Sequence, residues 1–371
     1  LMKINKIKVS LKNKKYNIYI GDNFVDKFGN ILNNEGIFFD NLLIVLDNNV
    51  PEILVKKVKK SIKCKNKILF KFTSSEKNKN FDNVNQIINL LLKNNFNRND
   101  CIIGFGGGIV GDLSCYTASI YKRGLKFINI PTTLLAQVDA SIGGKSGINH
   151  KDFGKNLIGT YYQPNIVLTD TSFLKSLKKR QIVCGYAEIF KHTLIRNKKA
   201  FSYLDRFVEE IINLKKPFIN KVIHTSCIIK KNVVEKDEHE KNIRKILNLG
   251  HTFGHAFEAS YKFRNNLNHG EGVLLGIKCA SKFSLTKNFL GKTEFIKIIK
   301  HIEKINKNLK LKKFFKIKDI KKIVSLMRND KKNNSNKISL VLLKNLGKPI
   351  INQQFHGKEI ENFLKKELNN I

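Results

Sequence analysis

The sequence predicts two domains: an α/β domain with a mostly parallel sheet, followed by an all-α domain. Up to about residue 170, short β-type runs alternate with helical runs, which is typical of a parallel sheet built from β-α-β units. Beyond Ser172, glycines become few and long amphipathic stretches dominate, which indicates helices. The 371 residues are sufficient for two domains of ordinary size. We therefore place the domains at residues 1–172 and 173–371.

The elements of the first domain are predicted from short apolar runs bounded by polar or glycine-rich turns. Strands are predicted at 42–46, 67–72, 101–105, 126–130 and 165–168, with a lysine-rich helix after the first, a helix at 84–93 and another after the glycines that follow 105. In the second domain, helices are predicted at 187–196, 218–234 and 271–286. The segment 297–332 is rich in lysine and isoleucine, and its pattern does not define the helix boundaries.

The net charge suggests a polyanion as partner, but its distribution does not. Lys and Arg number 69 against 30 Asp and Glu, which gives +39. The lysines are scattered through every segment, without a basic stripe interleaved with aromatic residues and without paired Cys-x-x-Cys motifs. We interpret the excess as a composition bias on a solvated surface, and we expect no specific nucleic-acid partner.

Cysteine spacing and hydropathy indicate the cellular compartment of the protein. The six cysteines are far apart in the sequence, which predicts free thiols in a reducing compartment. No apolar run approaches the roughly 18 residues of a membrane span, and the first ten residues lack a signal-peptide pattern. We expect a cytoplasmic enzyme with no membrane association.

A glycine-rich turn is the first candidate for ligand binding. Gly106, Gly108 and Gly111 satisfy G-x-G-x-x-G between a predicted strand and a predicted helix, where backbone amides can approach a pyrophosphate. A tight turn that requires positive φ is the structural alternative. The motif does not follow the first strand, and no isolated acid stands about 20 residues further on. Asp47 and Asn49, at the end of an early strand, are candidates to hold a ribose or nicotinamide.

A second loop carries hydroxyls, a carboxylate, glycines and a lysine. It runs from 131 to 147 and includes Asp139 and Lys145, and Lys155 and Asn156 follow closely. This combination indicates recognition of an anion or polyol, and an ordinary surface loop is the alternative.

The third candidate is a histidine cluster. His251 and His255 share one helical face at i, i+4, and His269 opens the next predicted helix. The glutamate of a zincin H-E-x-x-H motif is absent, so two histidines with a distant carboxylate such as Glu188 form an alternative metal site. Histidines buried in the core remain the structural alternative. Lys191 lies three residues after Glu188, a spacing that also suits a surface ion pair worth about 0.3 kcal/mol.

Taken together, six segments resemble the 3-dehydroquinate synthase family, in the same order and at matching intervals. They are 106–124, 130–150, 154–164, 185–195, 247–258 and 269–277. The resemblance covers nearly the whole chain and implies a family fold with an NAD-binding α/β domain and a helical domain that binds metal and substrate. One departure stands out: the family pattern Pro-x-Arg-Glu before the metal-ligand helix reads Lys178-Lys179-Arg180-Gln181 here.

The resemblance also implies residue roles. The metal ligands, for Zn²⁺ or Co²⁺, would be Glu188, His251 and His269. The NAD contacts would be Asp47, Asn49, Glu76, Lys79, Gly107, Gly108, Ile109, Asp112, Thr132, Thr133, Leu135, Lys145, Lys155, Phe173 and Ser176. The catalytic residues would be Asp139, Lys145, Lys191 and His255, and the substrate contacts would be Arg123, Asn156, Lys230, Arg244, Asn248 and Lys348. Arg123 would reach the substrate phosphate of a neighbouring subunit, which implies a homodimer.

The activity implied is the conversion of 3-deoxy-D-arabino-heptulosonate 7-phosphate to 3-dehydroquinate and phosphate. Oxidation by NAD, phosphate elimination, re-reduction and an intramolecular aldol reaction follow one another, so that NAD is regenerated in each turnover. A related cyclase acting on a substrate without a carboxylate is one alternative, which Lys230 and Arg244 disfavour. A metal-dependent polyol dehydrogenase and a basic RNA-binding protein without catalysis are the others.

Overall fold

A computed structural model of the chain describes residues 4–261, 267–329 and 337–369. Its contacts divide it into two compact units: the first comprises Leu1–Ile182 and Ile219–His239, and the second comprises Val183–Phe218 and Glu240–Ile371. The domain boundary after residue 172 stays a prediction. The division by contacts also assigns residues Ile219–His239, which include most of one long helix, to the first unit.

The strands are β1 Asn5–Ser10, β2 Lys15–Gly21, β3 Asn41–Asp47, β4 Asn66–Phe72, β5 Cys101–Gly106, β6 Lys126–Pro131, β7 Lys145–His150, β8 Gly154–Tyr161, β9 Ile166–Asp170, β10 Lys337–Asn345 and β11 Lys348–His356. The helices are α1 Phe28–Asn34, α2 Glu52–Ser61, α3 Phe81–Lys93, α4 Gly108–Ile120, α5 Lys179–Arg196, α6 Lys198–Arg206, α7 Val208–Ile212, α8 Phe218–Lys236, α9 His251–Ser260, α10 His269–Thr286, α11 Lys292–Ile305, α12 Ile320–Asn329 and α13 Gly357–Asn369. Short 3-10 turns and one π-helical turn lie between them.

The first unit contains a seven-stranded sheet in the order β1-β2-β9-β6-β5-β3-β4. Only β1 and β2 pair antiparallel, and the other neighbours are parallel. Strand β3 shows why the apolar runs predicted strands: Leu42, Ile44 and Leu46 pack into one core with α1 and α2, whereas Leu43 and Val45 pack into another with α3 and α4. Because helices cover both faces, the strands are continuously apolar. The five predicted strands and the parallel sheet are confirmed.

The order of the strands predicts where a ligand binds. From β3 the chain moves outward to β4, and it then crosses to the other side of β3 for β5 and β6. In open α/β sheets, ligands bind outside the carboxyl ends of the strands where the winding reverses. In this sheet, that position lies between β3 and β5.

The second unit is mainly helical, as expected, and it also contains an antiparallel hairpin of β10 and β11. Helices α8 and α10 begin within two residues of their predicted starts, whereas α5 begins at Lys179, well before residue 187. In the segment of undefined pattern, 297–332, the structure has parts of α11 and α12, and residues 330–332 lie outside the described part. Within the described ranges, no helix combines the length and apolarity needed to span a membrane.

Candidate functional site

Thirteen of the fifteen residues predicted to bind NAD lie at or after the carboxyl ends of five neighbouring parallel strands, and the other two, Lys145 and Lys155, lie in the hairpin β7–β8. Asp47 and Asn49 come at β3, Glu76 and Lys79 after β4, Gly107, Gly108, Ile109 and Asp112 after β5, Thr132, Thr133 and Leu135 after β6, and Phe173 and Ser176 after β9. The tertiary structure therefore gathers residues that are distant in sequence along one edge of the sheet.

The glycines of this turn allow neighbouring atoms to pack closely against the backbone, and they do not adopt an unusual backbone conformation. Among the described residues, Gly106, Gly107 and Gly108 are absent from the positions with positive φ, so the tight-turn alternative is wrong. A Cβ at Gly106 would lie 2.5 Å from the side chain of Val110. Gly107 is the N-cap of α4 and offers no side-chain cap. The first N–H groups of this 13-residue helix therefore have no side-chain cap from Gly107, and such groups are suited to bind an anion.

The buried Lys79 and the partly exposed Asp112 form an ion pair beside this turn. The Lys79 residue is 3% exposed, and its Nζ also donates to Oδ1 of Asn156 at 2.5 Å. Burial raises the pKa of Asp112, although the positive charge of Lys79 opposes the shift. The pair therefore joins a predicted cofactor residue to a predicted substrate residue, Asn156.

A second polar contact lies next to this pair. Lys155 Nζ is 3.2 Å from Oε1 of Glu76, and Nδ2 of Asn149 donates to Oε2 of Glu76 at 2.8 Å. Burial alone would raise the pKa of Glu76, but Lys155 and Asn149 together hold it below its usual value. Asn149 also accepts the backbone N–H of Asn156 at 2.9 Å. The sequence reasoning missed Asn149, although it lies within one of the six family-like segments.

The loop from 131 to 147 contains a π-helical turn, Ala136–Ala140, that presents Asp139. Lys230 on α8 contacts this turn twice, with its Nζ 2.6 Å from the carbonyl oxygen of Asp139 and 2.7 Å from Oδ1. Single π-type turns occur frequently at functional sites. Lys145 follows two positive-φ glycines and is exposed at the start of β7. This part of the first unit therefore presents two lysines and a carboxylate.

Three other predicted cofactor residues have clear structural settings. Asp47 Oδ1 accepts hydrogen bonds from the backbone and side-chain nitrogens of Asn49, both at 2.8 Å. Phe173 is fully buried, and its ring packs edge-on against that of Phe105. Ser176 is exposed and donates to the carbonyl of Phe173 at 2.9 Å.

In the second unit, Glu188, His251 and His269 form a group suited to a metal ion. Their potential ligand atoms all lie within 4.8 Å of one another. Nε2 of His251 and Nε2 of His269 both lie 3.3 Å from Oε1 of Glu188. One carboxylate and two imidazoles are a donor set typical of a catalytic zinc site with an open position. Of the two sequence alternatives, the geometry supports two histidines with a distant carboxylate.

His255 lies beside this group and is not part of it. Its ring centroid is 5.1 Å from that of His251 and 6.4 Å from that of His269. On the carboxylate side, Lys191 pairs with Glu188, and both side chains are almost fully buried at 2% and 1% exposure. The alternative of a surface ion pair for Glu188 and Lys191 is therefore wrong.

Glycines bring the three ligand-bearing helices together. A Cβ at Gly276 on α10 would lie 2.0 Å from the carbonyl oxygen of Gly250, just before α9. A Cβ at Gly270 would lie 2.3 Å from Cα of Cys184 on α5. Any side chain at these positions would push the helices apart, so glycine permits His251, His269 and Glu188 to meet.

The charges in this group are strongly coupled. Burial would raise the pKa of Glu188, but Lys191 and His251 hold it well below its usual value. Burial, with the nearby charge of Lys191, lowers the pKa of His251 to about 4. Burial also opposes protonation of His269, yet the carboxylates of Glu258 and Glu188 raise its pKa well above the usual value. At neutral pH, Glu188 is therefore an anion and His251 is neutral, as metal ligands must be, whereas His269 would release a proton on binding a metal ion.

The remaining predicted substrate residues have contrasting exposure. Arg244 is buried, at 2% exposure, in the turn Ile243–Asn248. Asn248 in the same turn donates to Oε1 of Glu240 at 2.6 Å. Lys348 is exposed at the start of β11, the strand that packs against this turn. Arg123 is exposed and adopts φ +65, and non-glycine residues held in this region often mark functional sites.

Two side-chain contacts were not anticipated from the sequence. Gln181, where the family pattern has Glu, accepts a hydrogen bond from the backbone N–H of Lys178 at 3.0 Å and closes the start of α5. Glu258 contacts Nδ1 of His269 at 3.0 Å. Glu258 is the last residue of the family-like segment 247–258 and lies three residues after His255.

Comparisons with known proteins show the family and the fold of the chain. Family models described as the N-terminal and C-terminal domains of 3-dehydroquinate synthase match residues 69–184 and 185–333. The 3-dehydroquinate synthase of Pelagibacter ubique (strain HTCC1062) is 54% identical over 367 residues, covering 99% of this chain and 100% of that protein.

Solved structures with the same fold are more distant in sequence. A 2-deoxy-scyllo-inosose synthase complexed with carbaglucose-6-phosphate, NAD⁺ and Co²⁺ aligns with a TM-score of 0.86 at 23% identity, over 98% of this chain and 100% of that one. The 2-epi-5-epi-valiolone synthase ValA of Streptomyces hygroscopicus, with NAD⁺ and Zn²⁺ bound, aligns with a TM-score of 0.85 at 21% identity, over 96% of this chain and 98% of that one.

Proposed function

The chain belongs to the 3-dehydroquinate synthase family, and we propose that it converts 3-deoxy-D-arabino-heptulosonate 7-phosphate to 3-dehydroquinate and phosphate. It would act as an NAD- and metal-dependent carbon–oxygen lyase of the shikimate pathway. The observation that carries the proposal is the group of Glu188, His251 and His269 around the buried Glu188 carboxylate, because a simple binding protein has no need of this donor set.

We assign the metal to this group because the donors fit it. Both histidines direct Nε2 at the same carboxylate oxygen, and an anionic Glu188 offsets part of the charge of a divalent cation. Zn²⁺ is the expected ion, and Co²⁺ is a suitable replacement with the same ligand preferences. When bound, the ion would polarise the hydroxyl of the substrate that is oxidised.

We assign NAD to the carboxyl edge of the parallel sheet. The N-terminus of α4, preceded by Gly107, offers backbone N–H groups to the pyrophosphate, and Asp47 is placed to accept hydrogen bonds from a ribose. When bound, NAD would accept a hydride from the substrate and later return it. No net NADH is therefore expected.

The charged side chains have roles that follow from the substrate. Lys145, Asn156, Asn248 and His255 would hold the phosphate, and Lys230 and Arg244 would hold the carboxylate. Oxidation of the C5 alcohol to a ketone acidifies the neighbouring C–H bond. The released proton goes to phosphate oxygen as phosphate leaves, so no strong protein base is required. Orientation of this kind can lower a barrier by on the order of 7–11 kcal/mol in the best cases.

We further propose a cytoplasmic homodimer. The exposed Arg123, with φ +65, is suited to reach the substrate phosphate of a second copy. All six cysteines are free thiols, which fits a reducing compartment.

Phosphate release tests the function directly. The purified protein should release phosphate from the heptulosonate phosphate, and both a chelator and removal of NAD should abolish the release. A carboxylate-free sugar phosphate serves as the comparison substrate. Preference for that substrate, or accumulation of NADH in proportion to product, would contradict the proposal and indicate a different cyclase or a polyol dehydrogenase.

A further inference from the structure

Glu258 lies directly behind one of the proposed metal ligands. Its Oε1 is 3.0 Å from Nδ1 of His269, while Nε2 of the same ring is 3.3 Å from Oε1 of Glu188. Glu258 is 7% exposed, so bulk water competes little for this contact. The imidazole of His269 therefore spans two carboxylates, of which only Glu188 belongs to the ligand group.

The other histidine of the group shows the same arrangement with a different acceptor. Nδ1 of His251 lies 3.2 Å from the carbonyl oxygen of Leu249, and Nε2 faces Glu188. A carbonyl oxygen can only accept, so Nδ1 carries the hydrogen and Nε2 keeps its lone pair for a metal ion. An ionised Glu258 also only accepts, so Nδ1 of His269 keeps its hydrogen and Nε2 is the nitrogen left to bind a metal ion.

The packing of α9 against α10 leaves space for this carboxylate. A Cβ at Gly272 would lie 3.2 Å from both Cγ and Oε1 of Glu258. This is tighter than an ordinary contact, so any side chain at that position would press on the carboxylate. The glycine one turn into α10 thus keeps Glu258 against His269.

We propose that Glu258 is a positioning residue of the metal site. Its carboxylate accepts the Nδ1–H of His269, fixes the tautomer that presents Nε2 to the ion, and holds the orientation of the ring. This inference rests on the proposed function, because it requires that Glu188, His251 and His269 bind a divalent cation.

Zinc affinity is the decisive measurement, because it does not depend on activity. The full-length protein would be titrated in competition with a chromophoric chelator, as wild type and as Glu258→Ala and Glu258→Gln. Removing such an outer carboxylate typically weakens metal binding by about 10–100-fold, which is the loss expected for Glu258→Ala. Glu258→Gln should lie between alanine and wild type, because its amide oxygen still accepts Nδ1–H but carries no charge.

Glu359→Gln is the matched control. Its carboxylate lies 2.6 Å from Nζ of Lys287, just beyond the opposite end of α10, so the variant also loses a carboxylate next to that helix. Its zinc affinity should equal that of the wild type. Gly272→Ala should weaken zinc binding while retaining the carboxylate, because the added methyl group displaces Glu258.

Two further measurements separate positioning from folding. Thermal unfolding of the metal-free variants checks that they fold, and the absorption spectrum of bound Co²⁺ should change in Glu258→Ala because the ligand geometry changes. Wild-type zinc affinity in both Glu258 variants would overturn the inference. His269→Ala distinguishes failure of the role proposed for Glu258 from failure of the metal site. If this variant binds zinc as tightly as the wild type, the proposed metal site itself is wrong.

Discussion

The ion pair of Lys191 and Glu188 provides the most direct test of how the metal group is stabilised. Both side chains are almost fully buried, at 2% and 1% exposure. Lys191→Met removes the cation and keeps a side chain of similar length. The variant would therefore leave the Glu188 carboxylate buried without its principal counter-charge.

The expected loss follows from this burial. Removing one partner of a buried ion pair lowers the free energy of unfolding by about 3–5 kcal/mol. The Nε2 atoms of His251 and His269 remain 3.3 Å from Glu188 and offset part of this loss. We therefore expect the free energy of unfolding of the metal-free protein to fall by the lower end of that range, about 3 kcal/mol. Zinc should reduce the loss, because the dication supplies the missing positive charge.

The pH dependence has a defined sign. Because the pKa of Glu188 is depressed in the folded protein, the ion pair stabilises it above the ordinary carboxyl pKa. This stabilisation is lost as the pH falls through the depressed value, where the carboxylate is protonated and needs no partner. The difference between Lys191→Met and wild type should therefore be greatest near neutral pH and should shrink in acid.

Urea unfolding followed by circular dichroism, with chelator and with zinc, measures these differences. Lys231→Met is the control, because Lys231 and Glu235 form a more exposed pair, at 22% and 21% exposure, and such pairs contribute about 0.3–0.5 kcal/mol. A loss for Lys191→Met no larger than that of the control, or one that zinc does not change, would refute the reasoning.

Three further predictions follow from single side chains. Arg244→Lys should lower kcat/KM by roughly 10–100-fold, because one ammonium cannot make the two parallel hydrogen bonds of a guanidinium to a carboxylate; unchanged steady-state kinetics would exclude this role. Asp170→Ala should lower the free energy of unfolding in urea by about 3 kcal/mol, since its buried carboxylate accepts four backbone N–H groups at 2.7–3.0 Å. The hydrogen bond from His301 lowers the pKa of Asp205 to about 2, so its stabilisation is complete above pH about 4 and is lost as the pH falls through about 2. Asp205→Asn should accordingly be less stable than wild type at pH 6 and approach it near pH 2, and a constant difference across that range would contradict this.

The sequence by itself determined five strands of the central sheet, though not β1 and β2, and the general class of the site. Strands buried on both faces must be apolar at every position, so runs such as 42–46 are visible without any tertiary information. The glycines after β5 and the histidines of α9 and α10 are equally local signals. The two-stranded hairpins β7–β8 and β10–β11 were not predicted: β7, β8 and β11 are rich in polar residues and carry no long apolar run, whereas the buried apolar run 340–343 of β10 was overlooked.

Only the tertiary structure decided which atoms meet at the metal group. Sequence spacing alone left two alternatives open, His251 with His255 or two histidines with a distant carboxylate, because spacing describes one helix face and contains nothing about other helices. Only the family resemblance implied Glu188, His251 and His269. The ligand group instead joins three helices, α5, α9 and α10, whose close approach depends on backbone contacts at Gly270 and Gly276. The contact of Glu258 with His269 arises from the same helix packing. Geometry between helices is set by long-range packing, and for that reason no local pattern contained it.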